Sequence, residues 1–434
     1  MRIVTDLHVH SKYSRATSKA LSPEGLLESA RIKGIDVLGT GDFTHPKYLS
    51  ELKEKLTPSP DKPGFFCLKD TVDDPTCSVF MLSQEISCIY SQGGSVRRNH
   101  ILITAPDFKT VDIVAQRLGE VGNLSADGRP ILGMSSEELA KVVFDASGEC
   151  MVIPAHIWTP WFSLFGSKSG FDSIHECFGT MAKHILAVET GLSSDPPMNW
   201  RIKELDDFAI VSHGDAHSPR KVGREGVVYE LEEVSYRALV EALKNSARLD
   251  KKNLPKNYIA YTIEFYPEEG KYHWDGHRLC NVQCAPEETK KHNGLCPKCR
   301  KPLTVGVEYR VETLATRTKE EAVEYAKQHR PEYKKIVPLE EIIADAVGQH
   351  TGTKKVLEMY NKLIERGGNE FNVLLKLSES GLKGIAPPEI AEGIFRVRAG
   401  NIHVSPGYDG VFGKVKIFTD EERSEFKTKQ QRLF

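Results

Sequence analysis

No apolar run among the 434 residues approaches the ~20 needed to cross a bilayer, so no membrane-spanning helix is expected. The chain also opens directly on a strand-like segment around Ile3-Val4, with no charged stretch and apolar core ahead of it. No secretion signal is therefore expected, and the cytoplasm is the expected compartment. A global charge excess is missing too, since 58 basic residues against 60 acidic ones leave −2. Any nucleic-acid binding must then use a local basic face. Internal repeats and low-complexity tracts are absent. What remains is an ordinary globular composition, 40% hydrophobic and 27% charged, at a length that accommodates two or three domains.

Cysteine is unevenly spread. Four of the nine, Cys280, Cys284, Cys296 and Cys299, fall within twenty residues. In a chain without a secretory signal, such clustering points to metal rather than to disulfides. Four thiolates at this spacing suit a closed tetrahedral structural Zn²⁺ site whose binding is part of folding. Lys298 and Arg300, with Lys290, Lys291 and Lys301, surround it as a candidate phosphate-contacting face.

Strands and helices alternate through about residue 245. Ser22-Pro23-Glu24 offers an N-cap with Pro at N1, Leu26, Leu27 and Ala30 share one helical face, and Gly34 marks the stop. Apolar runs at 35–38, 79–89, 101–103, 151–155, 185–188 and 209–212 read as strands, and Ser136 starts a further helix. The Pro/Asp-rich stretch 57–76 reads as a surface insertion. This alternation implies a parallel sheet, and polar residues gather where the strands end, which is where α/β barrels carry chemistry. The expected domains are a barrel over 1–247, a zinc-binding segment over 248–316 and a helical domain over 317–434. In the last, helices are expected at 319–329, 338–347, 353–366 and 388–398.

Thr5-Asp6-Leu7-His8-Val9-His10 is the stretch on which the rest depends. Residues i and i+2 of a strand point to one face, so both imidazoles can enter one pocket and ligate Zn²⁺, Mn²⁺ or Fe²⁺. Asp42, Glu85, His100, His156, Asp215 and His217 follow in order. The ordered set resembles the PHP (polymerase and histidinol phosphatase) family: His-x-His, an acid after the second strand, Glu, His, Ala-His, and Asp-x-His last. That resemblance implies an irregular (β/α)7 barrel holding two or three metals that hydrolyse phosphoesters. Two positions depart from the family pattern: Ala16 stands where many members have a further His or Asp, and Thr40-Gly41-Asp42-Phe43 replaces Thr-Asp-His-Asp.

The order of barrel, four-cysteine segment and helical domain looks like the endonuclease Q family. The likeness includes Asp-Leu-His-Val-His-Ser-Lys-Tyr-Ser at 6–14, Gly-Thr-Gly-Asp-Phe-Thr-His-Pro at 39–46 and Glu-Thr-Gly-Leu-Ser-Ser-Asp-Pro at 189–196. It implies a repair enzyme that nicks double- or single-stranded DNA 5′ of deaminated bases (uracil, hypoxanthine, xanthine) and of abasic sites. Zn²⁺ is expected in the four-cysteine site and in the barrel, with Mg²⁺ or Mn²⁺ as alternative catalytic metals. Glu85, His156 and Asp195 are the expected catalytic groups.

Five aromatics follow the ligand His156: Trp158, Trp161, Phe162, Phe165 and Phe171. They are placed to stack on an extruded base, and Ser193 to bond its edge. The C-terminal Gln430-Gln431-Arg432-Leu433-Phe434 resembles the front of a sliding-clamp-binding peptide. Two alternatives remain, a small-molecule phosphomonoesterase of the histidinol-phosphatase type and a catalytically decayed PHP lesion-binding protein.

Overall fold

Adjacent residues along each barrel strand belong to different cores. Ile3, Val37, Leu102, Ile153, Ala187, Ala209 and Val227 join one buried cluster. Their neighbours Val4, Leu38, Ile103, Val152, Val188, Ile210 and Val228 join another. Side chains alternate across a strand, so apolar runs without polar alternation need cover on both faces. A ring of strands wrapped in helices supplies it. The structure, a computed structural model, describes residues 1–423, so the expected clamp peptide at 430–434 lies outside the described residues.

Arg2–Asp6 pairs in parallel with Val37–Gly39, which pairs in parallel with Val79–Gln92. Val79–Gln92 and Ser95–Ala105 form a long antiparallel hairpin, and Met151–Pro154 pairs antiparallel with the latter. Ala187–Glu189 and Ala209–Val211 make a separate parallel pair. Short bridges span the gaps on either side of that pair. The Ile157 N–H donates to the Glu189 carbonyl at 3.1 Å, and the His10 N–H donates to Ala216 at 3.0 Å. The barrel is thus irregular, as the family likeness implies. Tyr236–Ser246 packs Tyr236, Leu239, Ala242 and Leu243 into the inner cluster. Burying one such side chain contributes about 1.5–3 kcal/mol.

The helix caps follow the sequence signals. Ser22 accepts from the Gly25 N–H ahead of Pro23–Lys33, and Gly34 ends that helix at φ 85°. Ser135 and Glu138 form a capping box ahead of Ser136–Ala146, so the cap falls one residue before the expected start. The C-terminal helices are Lys319–His329, Leu339–Val347, Lys354–Gly367 and Pro388–Ala399. Among the described residues no helix is long and apolar enough to cross a membrane.

Four features depart from expectation. The sheet is mixed rather than parallel: Arg2–Asp6 pairs antiparallel with Gly226–Glu230, and the long hairpin turns the chain back without a helical crossover. Residues 57–76 are not simply a surface insertion: Leu56–Pro58 and Phe66–Leu68 are strands, with Phe65, Phe66 and Cys67 buried, because the edge of Val79–Gln92 needs a partner. His100 lies inside a strand rather than at its start. The main sheet also runs past residue 247. Tyr258–Glu264 pairs with Gly226–Glu230, and Glu332–Lys335 pairs with Tyr258–Glu264. The segments interlock further where a buried Lys33–Glu370 ion pair at 2.5 Å ties the first helix to the helical domain.

Candidate active site

His8 and His10 follow the first strand, Asp42 the second, and Glu85 and His100 sit on the long hairpin. His156 and Asp215 follow later strands. Asp42, His156 and Asp215 take positive φ values of 48°, 32° and 45°. A non-glycine residue held there costs roughly 1–3 kcal/mol, a strain that clusters at functional sites.

Glu85 is the hub. Its Oε2 lies 3.4 Å from His8 Nε2 and 3.1 Å from His10 Nε2, while Asp215 Oδ1 is 3.1 Å from the same His10 nitrogen. Its Oε1 lies 2.8 Å from His100 Nδ1 and 3.2 Å from His156 Nε2. The candidate metal-holding groups are therefore His8, His10, Glu85 and Asp215 on one side, and Glu85, His100 and His156 on the other. One carboxylate faces both, as a bridge between two cations would.

Two expected ligands stand elsewhere. Asp42 belongs to neither group. Its Oδ1 accepts from His10 Nδ1 at 3.2 Å, and its Oδ2 accepts from the Ser11 N–H and hydroxyl, both at 2.6 Å, and from the Ser14 hydroxyl at 2.8 Å. It therefore orients His10 and presents Nε2 to the site. His217 packs its ring 4.5 Å from that of His10 and donates from Nδ1 to the Asp215 carbonyl at 2.9 Å, also outside both groups.

Glu189 plays the orienting part for His8. His8 Nδ1 donates to its Oε2 at 3.0 Å, and His213 Nδ1 donates to its Oε1 at 2.9 Å. Glu189 directly follows the apolar run 185–188, and that strand-terminal position is its signal in the sequence. Arg129 carries no such signal, because it lies on a loop with no pattern around it. Its Nη1 donates to Glu85 Oε2 at 3.0 Å.

The electrostatics fit divalent cations. Burial opposes protonation of His8, yet Glu189, Glu85 and Asp215 raise its pKa well above the usual range. Burial likewise opposes ionisation of Glu85, but His100, Arg129 and His8 hold it well below the carboxylate range. His100 is pushed down to about 4, chiefly by burial, so its imidazole is neutral at pH 7, the state a metal would need. His8 Nε2 is buried without a hydrogen-bond partner. An orphaned imidazole nitrogen among carboxylates suits a metal.

The site opens into a cavity of about 380 Å³. His100, Arg129, His156 and Asp215 line it on one side, and Trp161, Phe162 and Tyr272 on another. The aromatic stretch after His156 therefore splits. Trp158, Phe165 and Phe171 are buried in the core, and Trp158 Nε1 donates to Asn199 at 2.8 Å. Only Trp161 and Phe162 face the cavity, a division that turns on backbone torsion (Phe162 has φ 60°). Ser193 lines it, with its hydroxyl unpartnered. Asp195 does not line it: its Oδ1 caps Pro196–Trp200 by accepting from the Met198 N–H at 3.1 Å, and its Oδ2 pairs with Lys335 at 2.8 Å. Those bonds use both oxygens, so the geometry gives Asp195 a structural part.

In the zinc segment, His277, Cys280, Cys296 and Cys299 converge, with His277 Nδ1 3.4 Å from Cys299 Sγ. Cys284 is outside this group. In the hairpin Asp275–His277/Val282–Cys284, His277 opposes Val282 and Cys284 opposes Asp275, two positions further from the tip that carries Cys280. Cys284 packs with Val282, Leu303 and Cys296 beside the group. Arg300 closes the turn after Cys299 at φ 62°, and Lys298 Nζ donates to the Cys280 carbonyl at 2.9 Å, so Lys298 helps build the knuckle.

Comparison with known proteins agrees with this architecture. A family profile described as the MJ0043 C-terminal domain matches residues 338–401. The uncharacterized protein MJ0043 of Methanocaldococcus jannaschii is 35% identical over 262 residues, 60% of this chain. The matched part spans 31% of that relative's length. The structure of the lesion-specific endonuclease PfuEndoQ from Pyrococcus furiosus is similar at a TM-score of 0.81 and 27% identity, over 98% of this chain and 99% of that one. Endonuclease Q in complex with a 27-mer duplex substrate carrying an abasic lesion at the active site matches at 0.80 and 28%, over 97% and 98%. The expected resemblance to endonuclease Q thus extends through barrel, zinc segment and helical domain.

Proposed function

We propose that this chain is a metal-dependent DNA repair endonuclease that hydrolyses a phosphodiester 5′ of deaminated bases and abasic sites. The observation that carries the reading is Glu85, which faces two candidate metal-holding groups whose members His100, His156 and Asp215 line an aromatic-walled cavity. Likeness to endonuclease Q over nearly the whole chain supports the same chemistry.

His8, His10, Glu85 and Asp215 would hold one cation, and Glu85, His100 and His156 a second. Zn²⁺ suits these donors, and Mg²⁺ or Mn²⁺ could serve as catalytic metal. Divalent cations bound there supply Lewis-acid activation of water and of a phosphate oxygen. Asp42 and Glu189 fix the tautomers of His10 and His8. Arg129 presents its guanidinium to the cavity, where it matches the geometry of a phosphate. Trp161, Phe162 and Tyr272 offer stacking surfaces to an extruded base. The unpartnered Ser193 hydroxyl and His273 Nδ1 offer hydrogen bonds to its edge. Zinc at the knuckle would be structural, with Arg300 exposed beside it to meet the backbone.

The test is cleavage of end-labelled duplexes carrying one deoxyuridine, one abasic site or no lesion. Wild type should give a single nick 5′ of each lesion, and Asp215→Ala none. Cleavage of a phosphomonoester panel without any DNA nicking, under every divalent metal, would replace this reading with a small-molecule phosphatase.

A further inference from the structure

Phe412 is 69% exposed, while Trp161, also at the cavity, is 36% exposed. An isolated apolar side chain at a surface is ordinary, but three observations set this one apart.

The loop beneath it is rigid. The Gly407 N–H donates to the Glu268 carbonyl at 2.8 Å, the Gly410 N–H to Lys271 at 2.8 Å, and the Gly413 N–H to Glu269 at 3.0 Å. Tyr408 and Val411 exchange backbone bonds of 3.0 and 2.8 Å across the turn. Asp409 accepts from the Arg278 N–H and the Thr304 hydroxyl, both at 2.7 Å. A Cβ on Gly413 would lie 2.1 Å from the Glu268 carbonyl oxygen, so the chain beside Phe412 touches its support with no space between. The backbone that carries the ring is therefore fixed against its support.

The ring also lines the cavity that His100, His156 and Asp215 line. Cations flank it: Lys271 Nζ is 5.5 Å from its centroid, and Lys414 and Lys416 are exposed on the strand that follows. An apolar plane between ammonium groups matches a duplex, which has stacked bases inside and phosphates outside.

We propose that Phe412 is a wedge that enters the base stack of duplex DNA and fills the space left when the damaged nucleotide swings into the cavity. This inference rests on the endonuclease reading. Extruding a base from a duplex costs unstacking and unpairing, which a rigid aromatic offsets by stacking on the neighbours left behind. In single-stranded DNA there is no pair to open, so the wedge has less to contribute. Phe412 is thus a positioning residue for duplex substrates.

The experiment measures nicking rates on a deoxyuridine in a matched duplex, in the same duplex with a mismatch opposite the lesion, and in the single strand. Phe412→Ala should lower the ratio of matched-duplex to single-strand rate by about tenfold relative to wild type. The mismatch should restore much of that loss, and Phe412→Trp should keep the wild-type ratio. An unchanged melting temperature would exclude misfolding, as expected for an exposed side chain. An equal fall on all three substrates, or no fall on any, would overturn the proposal. If wild type cuts none of them, the endonuclease reading itself fails and the wedge with it.

Discussion

Glu189 accepts a hydrogen bond from His8 Nδ1 at 3.0 Å, on the side of the imidazole away from Glu85. This contact fixes the His8 tautomer, so that Nε2 is unprotonated when it meets a metal. His213 shares the same carboxylate, and although burial opposes it, His8 and His213 hold Glu189 down to about 2.

Glu189→Gln should therefore keep the fold but weaken metal binding at the barrel site by roughly 10–100-fold. Metal titration followed by elemental analysis measures this directly. A metal affinity equal to wild type would show that the orienting contact does not matter.

At the knuckle, His277→Ala and Cys280→Ala should each lose the structural metal and lower the melting temperature. Cys284→Ala should retain one equivalent, because the four groups that converge are His277, Cys280, Cys296 and Cys299. Zinc content per chain and thermal melting separate the three variants. Loss of zinc from Cys284→Ala would restore the four-cysteine arrangement.

Arg129→Ala should reduce nicking on the order of 10²-fold at saturating metal, as removal of a positioned charge from a developing anion does. Single-turnover rates on a lesion duplex report it. Arg129→Lys should recover only part of the loss, since an ammonium cannot reproduce the planar fork.

Glu264 predicts a pH dependence of stability. Burial is the main cause that raises its carboxyl to about 8, and Glu225 beside it is raised as well, chiefly by burial and then by Glu264. With the folded pKa above the unfolded one, the folded state binds more protons between about pH 4.5 and 8. The stabilising contribution is complete below the unfolded pKa and is lost as pH rises through that window. Glu264→Gln should thus gain melting temperature over wild type at pH 9 and show a much smaller difference at pH 5.

Lys33→Met should destabilise the protein by about 3–5 kcal/mol, since it strands the buried Glu370 carboxylate that also receives the Tyr360 hydroxyl and the Leu339 N–H. Chemical denaturation measures the loss, and Lys33→Met with Glu370→Leu should recover much of it.

Much of the site was legible from local chemistry. A strand places His8 and His10 on one face by its repeat of two, and few side chains other than His, Asp and Glu can hold a hard or borderline cation. Helix caps at Ser22 and Gly34 were readable for a similar reason, because they depend on neighbours three or four residues away. Apolar runs without alternation likewise marked strands covered on both faces.

Which residues come together in each candidate metal group was a matter of long-range packing. Asp42 reads as a ligand from its place after a strand, yet the Ser11 and Ser14 donors draw it behind His10. Glu189 lies 181 positions from His8, and only closing the ring of strands brings the two together. His277 displaces Cys284 because hairpin register, not cysteine count, sets the distance to Cys280. Residue types and short periods determined the kind of chemistry and the elements that carry it. The tertiary structure decided the partners, since contacts between distant segments depend on how the segments pack and no local pattern encodes that.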